Sequence, residues 1–211
     1  MATSLSVRPR PPVQKKNTHM KKFAFLGNCQ TIVYAKYFRD LLPDAKCKWV
    51  CSSVFEKNSW PKDQGLWGKD CVEQSLFKKE EKQKYLNNCD IIVCNPIKEE
   101  TATLYNYKLL KKIYNKKLLT ISGFHENIHG IKKRESLYKI DIKISRILEE
   151  NPDKACMLNV NHPNTFCLLE AVRMICKNLN IDFFEEKKYS ELLELGYPFE
   201  KKTKSNKWTK L

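Results

Sequence analysis

The sequence predicts an α/β domain: a mostly parallel sheet flanked by helices. Three observations predict it. Short apolar runs at residues 23–26, 90–94 and 117–122 have the length of buried strands. Longer stretches between them repeat apolar residues at helical spacing. Glycine, proline and asparagine punctuate the junctions. Strands that alternate with helices need crossover connections, and these place helices on the faces of a parallel sheet.

Residues 1–20 carry Pro9, Pro11 and Pro12 with several cations and no apolar period, which predicts a disordered basic arm. Met20 is an alternative start. The apolar run 23–26 ends at Gly27 and predicts a buried strand. From Thr31 the period changes: Tyr34, Tyr37, Phe38 and Leu41 fall at i, i+3, i+4 and i+7, the core stripe of a helix that Pro43 stops. Residues 46–51 predict a second strand. Residues 52–70, with Trp60-Pro61 and Trp67-Gly68, predict a long loop that is functional or tucked over the core. A charged helix is expected over 71–88, then a buried strand over 90–94 that ends at Asn95-Pro96-Ile97.

Leu104, Tyr107, Leu110 and Tyr114 share one side of a helix over 104–114. A strand over 117–122 stops at Gly123, and a loop over 124–130 holds His125 and His129. One helix is expected over 135–149, limited by Pro152, and a strand over 155–160. Pro163 suits the first position of a helix whose stripe is Leu168, Val172, Ile175 and Leu179, so His162 is expected at its N-cap. Residues 181–184 predict an edge strand, 190–195 a short helix ended by Gly196, and 200–211 a basic tail. The folded domain is thus expected over 21–199.

At 211 residues, with 42% hydrophobic and 11% aromatic side chains, the chain has material for one real core. The formal net charge of +15 suggests an anionic partner. Its distribution weakens that inference. Arg8, Arg10, Lys15, Lys16, Lys21 and Lys22 lie at one end, and Lys201, Lys202, Lys204, Lys207 and Lys210 at the other. Much of the rest interleaves with acids, as Lys78, Lys79, Lys82 and Lys84 do with Glu80 and Glu81, the pattern of a solvated face. Arginine, the better phosphate fork, is sparse, and no RNP, KH or zinc-finger pattern occurs, so no specific nucleic-acid partner is expected. The Lys and Asn content fits an A/T-rich genome, such as a viral one.

The nine cysteines are an odd number, and neither a secretory leader nor an Asn-x-Ser/Thr sequon accompanies them, which predicts a reducing, cytoplasmic compartment. No metal is expected. Cys47 and Cys51 lie in a strand-like run and would stand roughly 13 Å apart, and an odd offset turns Cys89 and Cys94 to opposite faces. No apolar run approaches the roughly 20 residues of a membrane span.

Between the first strand and helix sit Gly27-Asn28-Cys29-Gln30. The carboxyl end of a strand and the amino end of a helix meet there, where open α/β sheets bind ligands and free N–H groups favour anions. A thiol at that position loses its proton more readily than a free one. With one glycine the turn is neither a dinucleotide fingerprint nor a Walker loop, and it is not G-x-S-x-G. At a helix amino end His162 would be held neutral and available as a proton acceptor.

Three pieces, Leu26-Gly-Asn-Cys-Gln30, Asp90-Ile-Ile-Val-Cys-Asn-Pro-Ile97 and Asn161-His-Pro-Asn164, resemble in order and spacing the WcbI-type family of polysaccharide-biosynthesis acetyltransferases. The resemblance implies a cradle-like fold that binds acetyl-coenzyme A and acetylates a hydroxyl or amino group of a sugar or nucleotide-sugar acceptor in capsule or surface-glycan assembly. It implies His162, Cys29 and Asn28 as catalytic residues, and Gly27, Asn28, Cys29, Gln30, Pro96, Asn161, His162 and Asn164 as coenzyme-binding ones. His125 and His129 become candidates for a substrate loop. Backbone N–H groups at Cys29 and Gln30, with the Asn28 amide, would hold the oxyanion. This chain departs from the family at Asn95, where glutamine is usual, and in Gly123-Phe124-His125-Glu126, which follows the family's aromatic-His-Pro-Asp loop only loosely. Two other readings stand beside it: an SGNH-like esterase, whose Asp-x-x-His ending is missing here, and a non-catalytic basic module for RNA or phosphate.

Overall fold

The computed structural model describes residues 21–51, 75–76, 78–96, 107–124, 127–154, 156–159, 162–181 and 186–195. The expected arm, the tryptophan loop, Ile97, His125, Asn161, the expected edge strand past Ile181 and the basic tail lie outside the described residues.

The central sheet has five parallel strands in the order β3–β2–β1–β4–β5: β1 (Lys22–Gly27), β2 (Lys46–Cys51), β3 (Ser75–Leu76), β4 (Ile91–Cys94) and β5 (Leu118–Thr120). The continuous apolar run of β1 suits the middle position, because a central parallel strand is buried on both faces. Phe23 and Phe25 point to one face and meet Phe38, with ring centroids 4.7 and 5.3 Å away. Ala24 and Leu26 point to the other, among Val50, Ile92 and Cys94.

Helices α1 (Cys29–Leu41), α2 (Lys79–Asn88), α3 (Tyr107–Tyr114), α4 (Ile128–Tyr138), α5 (Ser145–Glu150), α6 (Thr165–Asn178) and α7 (Glu186–Leu195) surround the sheet. On the first face α1 and α6 share a core with Phe25 and Trp49, joined by Ile147 of α5 and Leu192 of α7. Leu86 of α2 and Leu110 of α3 cover the second face. Layers on both faces make this the α/β domain that the sequence predicts. Helix α1 buries far more than its predicted stripe, with Ile32, Val33, Tyr34, Ala35, Tyr37 and Phe38 all buried. It lies between two apolar surfaces, the sheet and α6, so most of its circumference is core.

The structure corrects four expectations. Ser75 and Leu76, expected in a helix, pair with Trp49 and Val50 as β3. The helix begins only at Lys79, where Glu80 and Glu81 in its first turn suit the dipole. The single helix expected over 135–149 is two. Lys139 takes a left-handed φ of 48° and closes α4, and its N–H donates to the carbonyls of Glu135 and Ser136. Ile142 then bridges to Ile121 before α5 starts. His129 and Gly130, expected in a loop, form the first turn of α4, capped by Asn127, which accepts from the Gly130 N–H at 2.9 Å. Finally, His162 does not cap α6. His162–Pro163 form a short strand β7, antiparallel to β6 (Met157–Asn159). Asn164 is the cap; it accepts from the Cys167 N–H at 2.9 Å. Asparagine is among the strongest capping residues, and the backbone of Asn164 is extended, as a cap requires.

Candidate functional site at the carboxyl edge of the sheet

The strand order reverses beside β1: the chain runs outward through β2 and β3, then returns to place β4 on the other side. A crevice opens at such a switch point, outside the carboxyl ends of the two strands. Here those ends are Gly27-Asn28 and Asn95-Pro96.

The first wall is rigid. Asn28 caps α1, its side chain accepting from the Gln30 N–H at 3.1 Å. Its carbonyl accepts from the Thr31 N–H at 3.0 Å and the Thr31 hydroxyl at 2.6 Å, and that hydroxyl accepts from Trp49 Nε1 at 3.0 Å. Gly27 has a φ of 153°, and a Cβ there would come within 2.9 Å of Thr31 Cγ2 and 3.2 Å of Asn95 Cβ. Glycine alone fits that approach.

Gln30 is buried and turned sideways. Its Nε2 donates to the Phe124 carbonyl at 3.1 Å and its Oε1 accepts from the Phe124 N–H at 3.0 Å. This arrangement corrects the oxyanion role expected for Gln30. Its backbone N–H serves the Asn28 cap, and its side chain braces the segment after β5. At the first helical position, the Cys29 N–H has no acceptor within the helix.

The second wall follows β4. The Asn95 N–H donates to the Leu26 carbonyl at 3.1 Å, so the β1–β4 ladder runs one residue further and sets Asn95 beside Gly27. Asn95 is 5% exposed, and its Nδ2 is buried with no hydrogen-bond partner among the described residues. A buried amide without a partner needs an explanation. It lines a cavity of roughly 30 Å³ with Pro96, Ser122, Gly123, Ile131, Arg134, Tyr138 and Ile140. A polar clamp holds α4 at this cavity: the Ser122 hydroxyl donates to Glu135 Oε1 at 2.5 Å, the Ser145 N–H to the same oxygen at 3.0 Å and the Ser145 hydroxyl to Oε2 at 2.5 Å.

Of the residues expected from sequence, Gly27, Asn28, Gln30 and Pro96 gather at this edge, and Cys29 opens α1 there. His162 lies off the main sheet, in β7 at the head of α6, which packs against α1. Asn164 is spent as the cap of α6. His129 is exposed on α4. Sequence reasoning missed Asn95 as a site residue, along with Ser122 and Glu135. The position of Asn95 directly after a buried strand was the available signal.

Cys47, Cys89, Cys94, Cys167 and Cys176 are packing groups at neutral pH. Burial pushes Cys89 up to about 11 and Cys94 and Cys176 up to about 12, and raises Cys47 and Cys167 further. A hollow of roughly 530 Å³ lies at the opposite edge, where β1 and β2 begin, and Lys22, Arg39, Lys46, Lys48 and Lys84 line it with Glu81. Among the described residues no helix is long and apolar enough to cross a membrane. Comparison of the chain with protein-family models, curated proteins and solved structures returned no match in any of the three.

Proposed function

We propose that the protein transfers an acetyl group from acetyl-coenzyme A to a hydroxyl or amino group of a sugar, nucleotide-activated, during assembly of a surface glycan. One observation carries this reading: the Asn95 amide, without a partner among the described residues, lies at the switch point beside the amino end of α1, a helix with no acid in its first turn. A donor without an acceptor, next to the positive end of a helix dipole, suits a reaction that develops negative charge on oxygen. The resemblance of the three motifs supplies the donor and acceptor classes.

In this mechanism the acceptor oxygen or nitrogen attacks the thioester carbonyl carbon, and His162 takes its proton. The new C–O or C–N bond forms as charge gathers on the carbonyl oxygen. The C–S bond then breaks, and the departing coenzyme thiolate recovers the proton from the imidazolium. The Cys29 N–H and the Asn95 amide are the donors to the oxyanion.

The test is a transfer assay with acetyl-coenzyme A against a panel of sugars and nucleotide sugars, with thermal shift as the binding readout. Stabilisation by the coenzyme, acetylated product and a loss of roughly 100-fold or more in turnover for His162→Ala, with coenzyme binding kept, are expected. Full turnover in that variant removes His162 from the mechanism. Absence of coenzyme binding removes the reading.

The basic groove favours a second reading, a module for phosphate-rich ligands. The ammonium groups of Lys22, Lys46, Lys48 and Lys84 have no ion-pair partner among the described residues. Binding of a labelled single-stranded oligonucleotide that falls steeply with salt and is lost in K46E/K48E/K84E, with no response to coenzyme A, would replace the first reading by this one.

A further inference from the structure

We infer that the hollow at the amino edge of the sheet binds the polyphosphate of a nucleoside triphosphate. The inference is independent of the transferase reading, and it rests on the second reading of this groove, which it narrows to one compact ligand.

Strand register assembles the charge. Lys22 of β1 and Lys46 of β2 are partners across the parallel ladder, and Lys48 stands two residues beyond Lys46, opposite Ala24. Residues two apart on a strand share a face, so these three lysines project from the face that carries Ala24, Leu26 and Val50. Like charges at neighbouring positions of two strands repel. Lys48 adds a second cost, because it is half-buried and its ammonium has neither an ion-pair nor a hydrogen-bond partner among the described residues. A bound anion offsets both.

Helix α2 closes the hollow from its other side. Glu81, Lys84, Tyr85 and Asn88 fall at i, i+3, i+4 and i+7, one stripe of the helix, and all four line the space. Lys84 brings a fourth ammonium without a partner among the described residues. Glu81 is the one acid among the described lining residues, and it pairs with Lys78 at 3.7 Å. The Asp90 carboxylate accepts from the Lys22 backbone N–H at 2.7 Å. Arg39 lines the hollow from the last turn of α1, where a cation suits the helix dipole. The Tyr85 hydroxyl donates to the Phe23 carbonyl at 3.1 Å and lies 3.4 Å from that of Lys46, which fastens α2 to the starts of both strands.

Size and lining then choose the ligand. A volume of roughly 530 Å³ falls within the range of about 300–1,000 Å³ typical of small-molecule sites. Ala45, Cys47, Leu76 and the Tyr85 ring supply apolar wall beside the cations, as a base and ribose need. The cations converge on one space from β1, β2, α1 and α2 and do not follow a stripe, which favours a compact phosphate chain over an extended strand of nucleic acid. Lysine ammoniums on long stems meet phosphate as point charges, without the fixed fork of arginine. At about 3.3 Å per residue, Lys22 is roughly 17 Å from Gly27 along β1, so an occupant here leaves the crevice at the carboxyl edge open.

Calorimetric titration of the full chain, without magnesium, with adenosine mono-, di- and triphosphate, inorganic tripolyphosphate and a short oligothymidylate tests this. Affinity should rise about fivefold or more with each added phosphate, and weaken several-fold as salt rises from about 0.05 to about 0.3 M. Adenosine triphosphate should bind about fivefold or more tighter than tripolyphosphate, through the apolar wall. Lys48→Met should weaken adenosine triphosphate by roughly 5- to 10-fold with no fall in the thermal midpoint, since it removes a half-buried charge that the fold leaves unpaired. Lys46→Met, at an exposed position, should weaken it likewise. Adenosine monophosphate or tripolyphosphate bound as tightly as adenosine triphosphate, or unchanged affinity in both lysine variants, overturns the inference. Oligothymidylate bound tighter than adenosine triphosphate also overturns it and leaves the second reading standing, whereas failure of every polyanion to bind overturns both.

Discussion

Gln30 and Phe124 are bonded to each other twice, Nε2 to the carbonyl at 3.1 Å and Oε1 from the N–H at 3.0 Å, across 94 positions of sequence. Both residues are buried, so the pair is a staple between the first helix and the segment that follows the last strand of the sheet. It fixes the amino end of α1 relative to the segment after β5.

Gln30→Ala should therefore act well beyond its own volume. It strands a buried N–H and a buried carbonyl on Phe124, each costing about 1–3 kcal/mol. A loss of roughly 2–4 kcal/mol is expected, read as a lower urea midpoint with an unchanged slope. A midpoint shift of only a few tenths of a molar would mean that water replaces the side chain and that Phe124 is not stapled.

Gly27→Ala should be destabilising through geometry alone. The added Cβ meets Thr31 Cγ2 at 2.9 Å and Asn95 Cβ at 3.2 Å, at a φ of 153° that side chains rarely adopt. A loss of about 2–4 kcal/mol is expected in thermal melts. Adding Thr31→Ser removes the nearer methyl and keeps the hydroxyl that bonds Asn28 and Trp49, so the double variant should recover part of the loss. Full recovery would show that the contact, not the backbone angle, is the whole penalty.

Glu135→Ala should loosen α4. The carboxylate accepts from the Ser122 hydroxyl and from the N–H and hydroxyl of Ser145, all buried. Removing it leaves both Ser145 donors without an acceptor and the Ser122 hydroxyl with only the Ile142 carbonyl at 3.5 Å, at roughly 3 kcal/mol. Faster amide exchange should be confined to α4, β5 and the start of α5. Exchange that rises uniformly across the domain would speak against a local clamp.

Alkaline pH should unfold the protein through its thiols. Burial favours the neutral form, so Cys89, Cys94 and Cys176 carry values of about 11, 12 and 12 when folded, against about 8.5 in an unfolded chain. The folded state then holds protons that the unfolded state has released. This contribution is complete below about pH 8.5 and is lost as pH rises toward the folded values. Denaturation midpoints should be flat from pH 6 to 8 and fall above about pH 9, and Cys94→Ala should flatten part of that fall. A midpoint that rises between pH 9 and 11 would contradict the assignment.

Much of the architecture was legible in the residues themselves. The double-faced apolar run of β1, the turn at Gly27, the strand over 46–51 and the stripe of Leu168, Val172 and Ile175 come from local periodicity, which depends on neighbours within a few positions. The boundaries that failed were decided elsewhere. Ser75 and Leu76 are a strand because Trp49 and Val50 offer an edge. His162 joins a strand because Met157 and Asn159 lie across from Pro163 and His162.

The sequence by itself determined the fold class and the location of an anion-favouring turn at Gly27-Asn28, since both depend on side-chain period and on what glycine and asparagine permit. Only the tertiary structure decided what that turn faces. Asn95 beside Gly27, Gln30 stapled to Phe124 and Ser122 locked to Glu135 are contacts between distant stretches of chain. Such pairings depend on how the strands order themselves in the sheet. That order is chosen by which apolar faces bury one another best across the whole molecule, information that no short window of residues contains.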